Sequence, residues 1–143
     1  MAKIIPTRED YRYFLEIPTR WADQDAYRHV NNAVYYTYFD TLVASFLGSL
    51  ALAPEQDGIG VVVETMCRHH TPAFFPETLT AALRAGRIGT SSVRYEIGIF
   101  RPGHISACAD GHFIHVQVDL ADQHRTRAIP ERLRNALVPL LTT

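Results

Sequence analysis

The segment Arg20-Trp21-Ala22-Asp23-Gln24-Asp25-Ala26-Tyr27-Arg28-His29-Val30-Asn31-Asn32 gathers two carboxylates, an imidazole and two amides just ahead of a long apolar stretch. A carboxylate in such a loop can act as general base on a water or attack a carbonyl directly. The apolar stretch predicts a helix. Its unpaired N–H groups and positive dipole end would face back into the loop, where an oxyanion could be held. A carboxylate beside an oxyanion site points to acyl chemistry. Asn31 and Asn32 suit an N-cap on physical grounds alone. By starting the helix there they would present the amides of Asn32, Ala33, Val34 and Tyr35 as the oxyanion hole and a substrate contact.

The elements that must position this loop follow from the apolar spacing. Tyr13 to Ile17 alternates loosely and predicts a first strand. From Asn31 or Asn32 to about Leu50, apolar residues recur at Val34, Tyr38, Leu42, Phe46 and Leu50, with a second row at Tyr35, Phe39, Val43 and Leu47. Only Thr37, Thr41, Ser45 and Gly48 form a small or polar strip, so the helix is expected to be buried around most of its circumference. After a turn through Ala53-Pro54-Glu55-Gln56-Asp57-Gly58 the chain reads as strands: Ile59 to His69, Leu79 to Ile88, Ser91 to Arg101 and Ile105 to Leu120. The third of these alternates most clearly, while in the fourth the apolar parity switches near His112-Phe113, which predicts a bulge or a strong coil. Pro130 is expected to open a short terminal helix reaching about Leu141.

Strand, helix, then four closely connected strands predict an α+β fold, a five-stranded antiparallel sheet wrapped around a long central helix with a short C-terminal helix. A helix of that length would span about 28 Å, comparable with five strands at roughly 4.8 Å each. The 143 residues fit one domain. Such a sheet leaves two open edges, and Gly60 to Met66 is apolar with little charge to guard it. Association through that strand is expected, giving a homodimer or a homotetramer.

Composition narrows the function further. A formal net charge of −1 provides no global basic field to gather nucleic acid or anionic lipid, so neither partner is expected. Cys67 and Cys108 are too few for a disulfide framework and read as buried small residues. With no signal segment and no apolar run long enough to span a bilayer, a cytoplasmic protein is expected. His69 and His70 are adjacent, and His112 and His115 would point to opposite strand faces, so no metal site is expected. The glycine-rich and serine-elbow motifs of nucleotide-binding enzymes and serine hydrolases do not occur.

The pattern Arg-Trp-x-Asp-x-Asp-x-x-x-His-Val-Asn-Asn-x-x-Tyr, carried by Arg20 to Tyr35, resembles the hotdog-fold acyl-CoA thioesterases of the 4-hydroxybenzoyl-CoA thioesterase-like group. Further along, Phe75-Pro76-Glu77-Thr78-Leu79 resembles the turn into that family's third strand, Ile88-Gly89-Thr90-Ser91-Ser92-Val93 the approach to its fourth, and Ile129-Pro130-Glu131 the start of its C-terminal helix. Tyr27, Arg28 and Glu77 depart from the family's usual residues, and Tyr27 is placed to narrow or reorient the substrate pocket.

The resemblance implies a thioesterase that releases a free acid and coenzyme A, with Asp25 as general base or nucleophile and Asp23 as the aspartate that holds the loop. His29 would contact the thioester carbonyl or fix the loop. Glu64 falls where relatives donate an acidic or polar group across a dimer interface; a buried, paired carboxylate is its other reading. Ser91 and Ser92, with Arg87 nearby, would meet the pantetheine or phosphates of the carrier, a role for which Arg68, Arg84, Arg94 and Arg101 compete. The substrate would be an acyl-CoA or an acyl carrier protein thioester, and no cofactor is expected beyond that coenzyme A. A hotdog hydratase or dehydratase is the rival enzyme, but Asp25 and His29 stand one residue too close for its Asp-x-Asn-Pro-x-His pattern. A catalytically silent acyl-binding module is the rival outside enzymes.

Overall fold

In the computed structural model, which describes residues 4–142, five antiparallel strands form one sheet. The elements are β1 (Tyr13–Pro18), α1 (Val34–Gly48), α2 (Pro54–Asp57), β2 (Ile59–His69), β3 (Thr78–Ile88), β4 (Ser92–Phe100), β5 (Ala109–Val118) and α3 (Glu131–Leu137). The spatial order is β1-β3-β4-β5-β2, which leaves β1 and β2 as edges. Short 3-10 turns cover Arg8–Asp10, Trp21–Asp23 and Val138–Leu140.

Helix α1 lies on one face of the sheet, here called the inner face. Tyr35, Tyr38, Phe39, Leu42, Val43 and Phe46 are buried there, and Phe39 meets Phe113 of β5 edge-on with ring centroids 5.6 Å apart. At about 1.5–3 kcal/mol for each large apolar side chain fully removed from water, this seam holds the helix against the sheet. Leu133 and Leu137 of α3 join the same core.

Several elements differ from the expected ones. Helix α1 has 15 residues and starts at Val34 rather than at Asn31 or Asn32. Asn31 still caps the turn before it, since its Oδ1 accepts from Ala33 N at 2.9 Å and its carbonyl from Val34 N at 2.9 Å. The helix is not buried on most sides: Tyr36, Thr37, Asp40, Thr41 and Ala44 are exposed, because the sheet covers one side only. The 53–58 turn contains the single-turn helix α2, and Pro130 is the residue before α3 rather than its first.

The expected 105–120 strand shortens to β5, and its pairing with β4 runs without a shift from Ser92↔Val116 to Ile99↔Ala109. The bulges instead fall between Val62 and Glu64 on β2 and between Ala85 and Arg87 on β3. No parity change occurs on β5. Polar His115 and Gln117 sit on its inner face while Ile114 and Val116 sit on the outer one, which imitates a switch in the apolar pattern.

Candidate active site

The loop between β1 and α1 is built on Asp23. Its side chain has no solvent exposure and accepts from Arg20 N at 2.8 Å, from Arg20 Nε at 2.9 Å and from the Tyr38 hydroxyl at 2.8 Å. Burial alone would raise its pKa. The donors from Arg20 and Tyr38 outweigh that and hold the carboxyl below its usual range. Asp23 is thus the loop's anchor, as expected.

Two residues on, Asp25 is half-buried. Its Oδ1 accepts from Tyr27 N at 2.8 Å and from His29 N at 3.1 Å, while Asp25 N donates to His29 O at 2.8 Å. This Asx-type turn brings Arg28 to φ 64, the left-handed region, and a Gln24↔Val30 bridge closes it. The second carboxylate oxygen, Oδ2, meets no donor among the described residues. One oxygen shapes the loop and the other stays uncommitted.

Asp25 opens onto a cavity of about 310 Å³ that it shares with His29, Asn32, Tyr35, His69 and Thr71. Among the four amides expected to form an oxyanion hole, Ala33 N and Val34 N are taken by Asn31. Asn32 N and Tyr35 N meet no acceptor among the described residues, and both residues line the cavity. A carboxylate oxygen and two unpaired backbone donors therefore border one space, the arrangement that hydrolysis through an oxyanion requires. A broader recess of about 670 Å³ lies on the other side of Asp25, walled by Trp21, Arg28, Phe74 and Phe75.

The model of the thioesterase superfamily matches residues 27–108. The chain belongs to the thioesterase superfamily. This makes it a thioester hydrolase, and the resemblance read from Arg20 to Tyr35 holds at the level of the family. The matched span begins after Asp25, so the role of that residue rests on geometry. Among solved structures the thioesterase is similar to the PA5185 protein from Pseudomonas aeruginosa strain PAO1, at 42% identity and TM-score 0.92 over 98% of this chain and 99% of that one. It is similar to the PA2801 protein of P. aeruginosa, a candidate thioesterase, at 31% identity and TM-score 0.75 over 86% of this chain and 95% of that one. The fold is shared with a thioesterase from Thermus thermophilus solved with coenzyme A and zinc, at 24% identity and TM-score 0.77 over 92% of this chain and 96% of that one. No curated protein matches the chain.

The remaining expected site residues of this thioesterase are not all brought together. His29 reaches the cavity, its ring 5.5 Å from that of Phe74. Tyr27 is 80% exposed and borders neither space beside Asp25, so it does not narrow the pocket within one chain. Glu64 sits on the outer face of β2, where its Oε2 lies 2.7 Å from His112 Nε2. Beyond the bulge the inner-face positions of that strand are Thr65, Cys67 and His69, so Glu64 points away from the cavity of Asp25. Strand parity, not burial, decides this: Glu64 shares its face with Arg68 and Asp110, which are ion-paired at 2.6 Å. Cys67 is only half-buried, against expectation, while Cys108 is buried.

Ser91 and Ser92 precede and open β4 at the end of the sheet near Val116, and exposed Arg87 is close by on β3. Asp25 lies at the other end, beside His69 and Ala109. Arg84 and Arg94 both bind Glu96, Arg101 binds Glu77 and Arg68 binds Asp110, so these four are structural ion pairs.

Sequence reading missed His69. It meets Tyr35 edge-on at 4.8 Å and lines the cavity, and burial together with the neighbouring His70 lowers its pKa, favouring a neutral ring. The signal was present in the alternation Thr65, Cys67, His69, which assigns all three to the face that carries α1. No helix among the described residues is long and apolar enough to cross a membrane.

Proposed function

We propose that the protein is a hotdog-fold acyl-CoA thioesterase in which Asp25 acts on a thioester held in the cavity between the β1–α1 loop and the start of α1. One observation carries this reading: Asp25, with an uncommitted Oδ2, and the unpaired amides of Asn32 and Tyr35 border the same space. Asp25 takes a proton from a water whose oxygen bonds to the thioester carbon. The carbonyl oxygen becomes an oxyanion on the free amides. When it collapses the C–S bond breaks, and the thiolate of coenzyme A takes up the proton. His29 and His69 flank the reacting group. Direct attack by Asp25 would pass through a mixed anhydride and use the same oxygen.

The assembly we propose with this site is a homodimer through β2. On that edge Val62 is 46% and Val63 58% exposed, an unpaired apolar edge in a single chain. Antiparallel pairing of two β2 strands about a twofold axis normal to the sheet keeps both helices on one side. It sets the Ile59 end of one strand against the His69 end of the other. The Ser91–Ser92 end of each protomer then approaches the Asp25 cavity of its partner, which reunites the residues that one chain separates. Glu64 stays on the outer face under this operation, so it does not serve the partner's Asp25.

Thiol release from a panel of acyl-CoAs tests the reading. Release that Asp25→Asn abolishes supports it, and a wild-type protein that binds acyl-CoA without releasing thiol would make it a silent acyl-binding module. Repeating the panel with acyl carrier protein thioesters identifies the carrier.

A further inference from the structure

A second cavity, about 240 Å³, opens at the far end of the inner face beside the β2 edge. Its walls are mostly apolar, with Leu47, Leu52, Val93, Tyr95 and Leu133 contributing, and no charged side chain lines it. Ser91, Gln117 and His115 are the polar residues of its lining, and of these His115 carries a buried ring nitrogen without a partner. Its side chain is 8% exposed and its ring lies edge-on to Tyr95 at 5.1 Å. Its Nε2 is shut off from solvent without a partner among the described residues. A Cβ on Gly60 would sit 2.8 Å from Nδ1, so the glycine on the edge strand gives the ring its room. Gln117 stands at the same cavity with its amide nitrogen tied to Asp57 O at 2.9 Å, which leaves its oxygen as an acceptor.

A neutral imidazole has one donor and one acceptor, and leaving the buried Nε2 unpaired is costly. Burial lowers the pKa of His115 despite the opposing field of Asp40, so the ring is neutral. The cavity therefore offers apolar volume and a neutral hydrogen-bonding group, the combination that recognises an uncharged polar substituent on an apolar body. A cavity of roughly 150 Å³ accommodates benzene, so this one has room for a substituted ring or a medium-length chain.

We propose that this cavity receives the distal part of the acyl group and that His115 selects acyl groups bearing a hydroxyl there. The inference rests on the thioesterase reading and on the β2 pairing. Within one chain the register places His115 and His69 about 20 Å apart along β5, at roughly 3.4 Å per residue, too far for an acyl group that this volume holds. Across the antiparallel β2 pair, the cavity of one protomer lies toward the Asp25 of the other. A carboxylate-terminated acyl group is disfavoured, because it would bury a charge with no cation to meet it.

Matched substrates test this: octanoyl-, 8-hydroxyoctanoyl- and suberyl-CoA, and phenylacetyl- against 4-hydroxyphenylacetyl-CoA. The wild-type protein is expected to favour the hydroxylated member of at least one pair by about tenfold or more in kcat/KM, and to disfavour suberyl-CoA. His115→Phe should abolish that preference and His115→Gln should restore part of it. Co-assembling Asp25→Asn with His115→Phe should yield mixed dimers with one intact site, recovering both turnover and the preference. Thiol release without a hydroxyl preference in either pair would overturn the inference and leave the thioesterase reading standing. No release from any acyl-CoA would overturn both.

Discussion

The Tyr38 hydroxyl donates to Asp23 Oδ2 at 2.8 Å, joining the second turn of α1 to the loop that holds Asp25. A hydrogen bond to a buried carboxylate is worth about 1.5–3 kcal/mol, so Tyr38→Phe should destabilise the protein by that amount in denaturant titration. The same carboxylate fixes a pH dependence. Because the folded pKa of Asp23 is depressed, its stabilisation is complete above the unfolded value, near 4, and is lost as pH falls through the folded value. Wild-type stability should drop on acidification below about pH 4, and Asp23→Asn should start lower and lose less over that range.

Asp25→Asn should lower turnover by at least about a hundredfold while leaving the melting temperature close to wild type. The amide keeps an oxygen where Oδ1 accepts from Tyr27 N and His29 N, so the turn survives. It cannot take a proton or attack a carbonyl. Near-normal turnover in a folded variant would remove Asp25 from the mechanism.

Much of this site is legible in the residues alone, for reasons that particular positions show. Strand β2 lies over Ile59–His69 as the apolar run and its flanking turns indicated, and the loop around Asp23 and Asp25 carries its own hydrogen-bonding instructions. Helix α1 was misjudged at its start because Asn31 caps a turn that precedes the helix proper. Glu64 turns away from the Asp25 cavity because the bulge at Val63 resets the alternation along β2, and nothing in the residues around it placed that bulge. His115 was weighed only as a metal ligand because a buried histidine reads like any polar strand residue until the cavity beside it is seen.

For the oxyanion hole, a non-hydrolysable ketone or thioether analogue of an acyl-CoA should place its acyl oxygen about 3 Å from Tyr35 N or Asn32 N. Those amides are the unpaired ones, whereas Ala33 N and Val34 N already donate to Asn31. An ordered complex with that oxygen on the Asn31-bound amides, or facing solvent, would place the hole elsewhere.

At the β2 edge, Val62 and the bulged Val63 are exposed on a strand whose neighbour is missing in the single chain, and lysine there would bury charge in any β2–β2 ladder. The wild-type protein should elute as about 32 kDa or a multiple of it by light scattering, twice the 16.1 kDa chain. Val63→Lys should shift it toward the monomer, and because each Asp25 cavity would then lose the partner's Ser91 end and acyl pocket, turnover should fall with the dimer fraction as the protein is diluted. The monomer should still fold, since α1, α3 and the five strands bury their core without the partner. A monomeric Val63→Lys variant with wild-type kcat/KM would show that one chain holds a complete site, and it would also detach the His115 cavity from the reaction at Asp25.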